Sequence, residues 1–237
     1  MSPAPRVWFA LDVPSADEAL AWAGRLRGTV YGLKVGLELF VSAGPELVRE
    51  LKGLGWPVFL DLKLHDIPAT MERAAAAAAR LGADLLTVHA LAGPEGLEAA
   101  ARGARGAARP PPAVVGVTVL TSLDAAGLER VGIRGTPAEA VERLCRACRT
   151  AGLAGVVASA LEAPGVRRLW PGARIVTPGV RPAGAGRGDQ ARIATPAGAV
   201  RAGSTDLVVG RPIRDAPDPE AAAQAVVREA AEAAGDP

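Results

Sequence analysis

The sequence predicts an α/β protein folded as one (β/α)8, or TIM, barrel over residues 1–237, with its working face at the C-terminal ends of the strands. Three observations carry this expectation. Eight short β-rich runs alternate with helical stretches, no break in composition divides the chain, and polar residues recur at the same end of most of the runs.

Taken in order, the runs cover residues 7–13, 31–36, 58–64, 85–90, 113–120, 155–160, 174–180 and 206–210. The first carries Leu11-Asp12 near its end and gives way to Ser15-Ala16-Asp17-Glu18, a capping box that opens a helix. The second is interrupted by Lys34 and ends in Gly36. The third starts as apolar Val58-Phe59-Leu60 and continues as Asp61-Leu62-Lys63-Leu64-His65-Asp66. Ile67-Pro68 breaks the pattern, which puts Asp66 in the following loop. An Ala-rich helix over 72–81 is closed by Gly82. His89 lies near the end of the fourth run. Residues 102–112, rich in Gly, Arg and Pro, read as a surface connection, and Thr121 follows the fifth run. Thr136-Pro137-Ala138-Glu139 has the cap, proline and acid of a helix start. Val141, Leu144, Cys145 and Cys148 then share one stripe, so the Cys-x-x-Cys reads as core packing and not as a redox or metal motif. Ser159 lies near the end of the sixth run. The seventh contains Thr177-Pro178-Gly179-Val180 and leads to Arg181; the eighth ends at Gly210, followed by Arg211. A polar, Ala-rich helix over 219–234 closes the chain. A doubly wound open sheet is the alternative, but no Gly-x-Gly-x-x-Gly follows the first run.

A net charge of +2 gives no nucleic-acid signature. No apolar run approaches the roughly 18 residues of a membrane span, and the N-terminus does not resemble a signal peptide, so a cytoplasmic location is expected. The chain has three lysines against 24 arginines and no asparagine. Lys34 and Lys63 therefore stand out within apolar runs. Lysine, unlike arginine, has a pKa that its surroundings can tune toward proton transfer. Lys52, on a polar helix face, reads as an ordinary solvated charge.

In a strand, alternation places Leu60, Leu62 and Leu64 on one face, with Asp61 and Lys63 on the other and their Cα atoms roughly 6–7 Å apart. Buried ion pairs are weak stabilisers, so an Asp-x-Lys pair at a strand end points to chemistry. At the other side of the sequence, Gly179 and Gly210 would let backbone N–H groups approach an anion, and Arg211 offers a fork of donors. The loops after strands seven and eight are the usual phosphate site of such barrels. A phosphorylated substrate is expected. Residues 181–190, with Gly184, Gly186 and Gly188, read as a mobile lid on that side.

These pieces together resemble the orotidine 5′-monophosphate decarboxylase family. The matching motifs include Leu33-Lys34-Val35-Gly36, Asp61-Leu62-Lys63-Leu64-His65-Asp66-Ile67-Pro68 with Thr70, Thr87-Val88-His89-Ala90, Val119-Leu120-Thr121-Ser122, Thr177-Pro178-Gly179-Val180-Arg181, Gly188-Asp189-Gln190 and Val209-Gly210-Arg211-Pro212. The resemblance implies cofactor-independent, metal-free loss of CO2 from orotidine 5′-monophosphate to give UMP, in pyrimidine biosynthesis. It implies that Lys63 protonates C6, that Asp61 sits beside the departing carboxylate, and that Lys34 links Asp12 and Asp61 in a line of alternating charge. Asp12 would also reach the ribose, with Thr121 at the ribose end. Ser159 would read the pyrimidine edge, and Gln190 would bridge base and phosphate. Pro178, Arg181, Gly210 and Arg211 would surround the phosphate. Asp66 and Thr70 would cross to a neighbouring subunit, making a homodimer with shared sites. His89 matches a family position without an assigned step. Metal-dependent siblings carry an acidic residue where this chain has Lys34, whose charge would repel a divalent ion. A Schiff-base aldolase needs a neutral lysine, against which flanking carboxylates work. A phosphate-ligand sensor would have no need of the full charge array.

Overall fold

The computed structural model describes residues 4–182 and 194–235. Its strands are β1 (Arg6–Ala10), β2 (Gly32–Gly36), β3 (Val58–Leu64), β4 (Leu85–His89), β5 (Ala113–Val117), β6 (Gly155–Val157), β7 (Arg174–Thr177) and β8 (Asp206–Val209). They form a closed barrel in sequence order, and β8 returns to pair with β1 in parallel, Trp8 opposite Val208. The helices are α1 (Ala16–Arg25), α2 (Leu37–Gly53), α3 (Pro68–Arg80), α4 (Gly93–Ala107), α5 (Ala125–Arg130), α6 (Pro137–Thr150), α7 (Ala163–Leu169), α8 (Pro196–Arg201), α9 (Arg211–Arg214) and α10 (Pro219–Gly235).

Several strands are shorter than the apolar runs suggested. β5 stops at Val117 and β6 at Val157, although apolar character continues to residues 120 and 158. The runs extend past the ladder because residues beyond it line the mouth of the barrel, where apolar side chains also find cover. The helix expected over 72–81 starts earlier, because Pro68, which ends the strand pattern, also opens α3, whereas α1 and α6 start at their sequence signals. Thr136 and Glu139 form the full capping box of α6. Ser15 accepts the Glu18 N–H at 3.3 Å, while the Glu18 carboxylate takes the Ser15 hydroxyl instead of its backbone N–H.

Two apolar layers hold the barrel together. Inside it pack Trp8, Ala10, Phe59, Leu85, Val115, Val176 and Val208. Between sheet and helices lies a larger shell that includes Phe9, Leu33, Leu60, Leu86 and Ile175. Cys145 and Cys148 belong to that shell. Burial pushes the Cys148 thiol up to about 12, so it behaves as a small apolar side chain. The site opposite Cys148 Sγ must be a glycine: a Cβ on Gly116 would lie 2.2 Å from the sulfur.

The connection expected over 102–112 is corrected in part, since residues 102–107 complete α4. Ala and Arg favour helix, and the glycines there serve packing. A Cβ on Gly103 would lie 2.1 Å from the Glu72 carbonyl oxygen of α3. Glycine to alanine inside a helix ordinarily stabilises by about 1 kcal/mol. Here the clash is with backbone that cannot rotate away. Gly103→Ala is expected to destabilise by about 1–3 kcal/mol, read as a lowered urea midpoint with unchanged m-value.

The N-terminal end of the barrel holds buried charge of its own. Asp206, 0% exposed, accepts Trp8 Nε1 at 2.8 Å, Thr205 Oγ1 at 2.8 Å, and a two-point contact from Arg174 at 2.8 and 2.6 Å. The Arg174 guanidinium lies 5.8 Å from the Trp8 ring centroid. Lys52 is likewise not a simple solvated charge. Its Nζ sits 2.6 Å from Asp84 Oδ2, which also accepts the Val58 N–H at 2.7 Å and so ties α2 to the start of β3.

Candidate active site

At the opposite end, the strand ends bring four charges into a row. Lys34, buried on β2, has its Nζ 3.2 Å from Asp12 Oδ1 and 3.7 Å from Asp61 Oδ2. Lys63 Nζ lies 2.9 Å from the same Asp61 oxygen. The order is Asp12, Lys34, Asp61, Lys63, alternating in sign. Burial alone would raise the Asp61 carboxyl. Lys34 and Lys63, with hydrogen bonds from Lys63 and Thr87, outweigh it and hold the group below the usual carboxylate range. Asp61 is therefore an anion throughout the neutral range.

Asp61 and Lys63 do share a side, but not by plain alternation. β3 shifts register against β4: Leu60 faces Leu86, whereas Leu64 faces Val88, so four steps on β3 match two on β4. Within this bulge Lys63 adopts left-handed backbone, φ 49°, the one non-glycine described residue to do so. Such a conformation costs about 1–3 kcal/mol in a residue with a Cβ and survives only when its surroundings impose it. Thr87, fully buried on β4, lies across from the bulge. Its Oγ1 accepts the Lys63 N–H at 2.9 Å and donates to Asp61 Oδ1 at 2.9 Å.

The array opens into a cavity of about 250 Å³. Asp12, Lys34, Asp61, Lys63, Thr121, Pro178, Arg181, Gly210 and Arg211 all line it, as do Gly179, Val180 and Pro212. Phe59, Val117, Val119, Val157 and Val176 supply an apolar wall. Gly179 has φ 74°, a conformation that suits glycine, which explains its place in the loop after β7. A Cβ on Gly210 would lie 3.3 Å from Asp12 Oδ2. Loss of surrounding water and then the Arg211 charge lower the Arg181 proton affinity. Arg181 and Arg211 thus bring two guanidinium groups to one cavity.

Other expected site residues lie elsewhere. Asp66 is exposed, and its Oδ1 accepts the Ile67 N–H at 2.6 Å. Thr70 sits in the first turn of α3. Neither lines the cavity of its own chain. Ser159 is buried just behind the lining residue Ala158; its hydroxyl is hydrogen-bonded to Glu162 and accepts the Leu161 N–H at 3.2 Å. It therefore caps the turn after β6 in this conformation. Gln190 and residues 183–190 of the expected lid lie outside the described residues. His89 stacks on His65, ring centroids 5.3 Å apart, and its Nδ1 accepts the Leu91 N–H at 3.4 Å. Burial, then His65 and Lys63, lower its proton affinity, in keeping with a neutral acceptor. Thr87 appeared in the sequence only as part of a motif. The available signal was a hydroxyl two positions from Leu85, on the inward face of an apolar strand.

A closed barrel with a charge array and a dibasic cavity at its strand ends defines a TIM-barrel enzyme. Residues 5–226 match the family model described as "Orotidine 5'-phosphate decarboxylase / HUMPS family". The chain is 56% identical over 227 residues to orotidine 5'-phosphate decarboxylase of Anaeromyxobacter sp. (strain K), covering 95% of this chain and 98% of that one. It is 54% identical over 230 residues to the Halorhodospira halophila protein of the same name, covering 97% of each. Among solved structures, it superimposes on orotidine 5'-phosphate decarboxylase from Lactobacillus acidophilus with a TM-score of 0.85 at 35% identity, covering 95% of this chain and 99% of that one. The chain belongs to the orotidine 5'-phosphate decarboxylase / HUMPS family, and within it is a carboxy-lyase.

Proposed function

We propose that this chain converts orotidine 5′-monophosphate to UMP and CO2 for pyrimidine biosynthesis in the cytoplasm, without metal or organic cofactor. The observation that carries the reading is the unbroken row Asp12–Lys34–Asp61–Lys63 opening into a cavity that also presents Arg181 and Arg211. The ribose hydroxyls would meet Asp12 and Thr121, and the base would lie against the apolar wall. The phosphate would take Arg211, Arg181 and the backbone around Pro178 and Gly210. As the C6–carboxylate bond breaks, its electron pair stays on C6. The Lys63 ammonium stabilises that charge and then transfers a proton to C6. The donor set suits a divalent metal poorly, because the Lys34 ammonium already stands between the two carboxylates that would hold it.

The test is the loss of substrate absorbance with purified protein in EDTA. Turnover there supports the reading. Absence of turnover, with Mg²⁺-dependent activity on a keto-sugar phosphate, would move the chain to the metal-using branch. Arg211→Ala is expected to raise KM for orotidine 5′-monophosphate about 10–100-fold, the worth of one charge-assisted contact.

The same reading includes a homodimer with shared sites. Its support is that Asp66 and Thr70 stay out of their own cavity, while Ile67, between them, exposes 66% of its surface. Ser159 would meet the base only after exchanging its present partner. If Asp66 completes the neighbour's site, Lys63→Ala and Asp66→Ala chains, each inactive alone, recover activity when unfolded together and refolded as mixed dimers.

A further inference from the structure

Lys63 reaches its place through a backbone that no regular strand would give it. Three residues, 61–63, stand against one residue of β4, Thr87, across the register shift between β3 and β4. In an unbroken strand the Lys63 N–H would turn toward β2, the side that Pro57 faces through its bond from the Leu33 N–H. Here the bulge turns it toward β4 instead, where a side-chain oxygen, Thr87 Oγ1, accepts it at 2.9 Å. The same hydroxyl spends its one proton on Asp61 Oδ1, also at 2.9 Å. That leaves Asp61 Oδ2 as the oxygen facing both Lys34 and Lys63.

We propose that Thr87 is a positioning residue for decarboxylation: one hydroxyl locks the left-handed turn that aims Lys63 and fixes which Asp61 oxygen faces the two lysines. The inference rests on the decarboxylase reading above. A hydroxyl is suited to the task because it donates once and accepts at the same time, and both capacities are used. Valine matches threonine in shape but has neither. With Thr87→Val, the Lys63 N–H loses its acceptor and Asp61 Oδ1 loses its donor, while the packing of β4 is kept. The lysine then samples other backbone states, and a displacement of this kind near the reacting atoms costs about 10–100-fold in rate.

The experiment compares wild type, Thr87→Val and Thr87→Ser. The expected result for Thr87→Val is a kcat about 10–100-fold lower with KM and UMP affinity little changed. The acid limb of kcat/KM moves to higher pH, because Asp61 has lost a hydrogen bond to its charged form. Thr87→Ser, which keeps the hydroxyl, restores most of both. Amide hydrogen exchange at Lys63 gives a readout independent of turnover: protected in wild type and Thr87→Ser, fast in Thr87→Val. Wild-type kcat and acid limb in Thr87→Val, or no rescue by serine, would overturn the inference while leaving the decarboxylase reading intact. Wild type that fails to turn over orotidine 5′-monophosphate overturns that reading, and the positioning role of Thr87 with it. If Thr87→Val does not fold, Thr87→Ala, smaller than the native side chain, is held to the same criteria.

Discussion

Lys63→Ala is expected to lower kcat for orotidine 5′-monophosphate by about 10³-fold or more while UMP binding survives. A positioned general acid contributes about 10²–10⁴-fold, and a fixed charge at the developing anion about 10²–10³-fold. The two effects reside in one ammonium, so they do not simply multiply. UMP affinity should persist because, on the proposed reading, the cationic contacts to its phosphate would come from Arg181 and Arg211, which line the cavity beyond β7 and β8. In the proposed mechanism Lys63 does not act alone. A single charge pair at 4 Å is worth about 4 kcal/mol at an effective dielectric of 20, whereas enzymes commonly remove about 8–23 kcal/mol from a barrier. The remainder must come from binding energy at the phosphate and ribose. Rapid-quench kinetics with Lys63→Ala, beside UMP titration, measures both halves. A Lys63→Ala variant with wild-type kcat would remove the lysine from the mechanism.

Asp206→Ala is expected to give the largest loss of stability, about 3–5 kcal/mol. The carboxylate is fully buried and receives the Arg174 fork, the Trp8 indole and the Thr205 hydroxyl. Removing it leaves a guanidinium and an indole N–H without their acceptor in the barrel floor, which is the expensive way to break a buried pair. Arg174 and Asp206 begin adjacent strands, so the loss falls on the β7–β8 junction. Denaturant unfolding of Asp206→Ala and of Asp206→Asn separates the charge from the volume. The asparagine variant keeps one acceptor and should lose less. A loss under 1 kcal/mol for alanine would show that the floor relaxes around the gap.

Much of this was legible in the sequence because it depended on local pattern. The α6 box is written in four consecutive residues, whereas Pro68 read as a break and in fact starts α3 four residues ahead of the helix expected over 72–81. The eight-fold alternation that closes the barrel needs only periodicity. The row from Asp12 to Lys63 was accessible through residue type and strand-end position, reinforced by the family motifs. What escaped depends on contacts between distant residues. The Arg174–Asp206 floor joins residues far apart, each of which reads alone as a polar strand start. The Lys63 conformation is invisible to alternation, since a bulge changes the count of residues without changing their kinds. Ser159 was read by role, and its hydrogen bonds in this conformation are local.

The charge row is drawn from residues 12–63 and the cationic side of the cavity from residues 178–212. These halves meet across the β1–β8 seam, where Arg214 also donates to the Asp12 carbonyl at 2.7 Å. A growing chain therefore carries the charge row early, yet lacks Gly210 and Arg211 until the last strand has been made. On the proposed reading, turnover in this fold would report ring closure. A partly folded or truncated barrel would be silent rather than promiscuous, and recovery of turnover during refolding would time the docking of β8 onto β1.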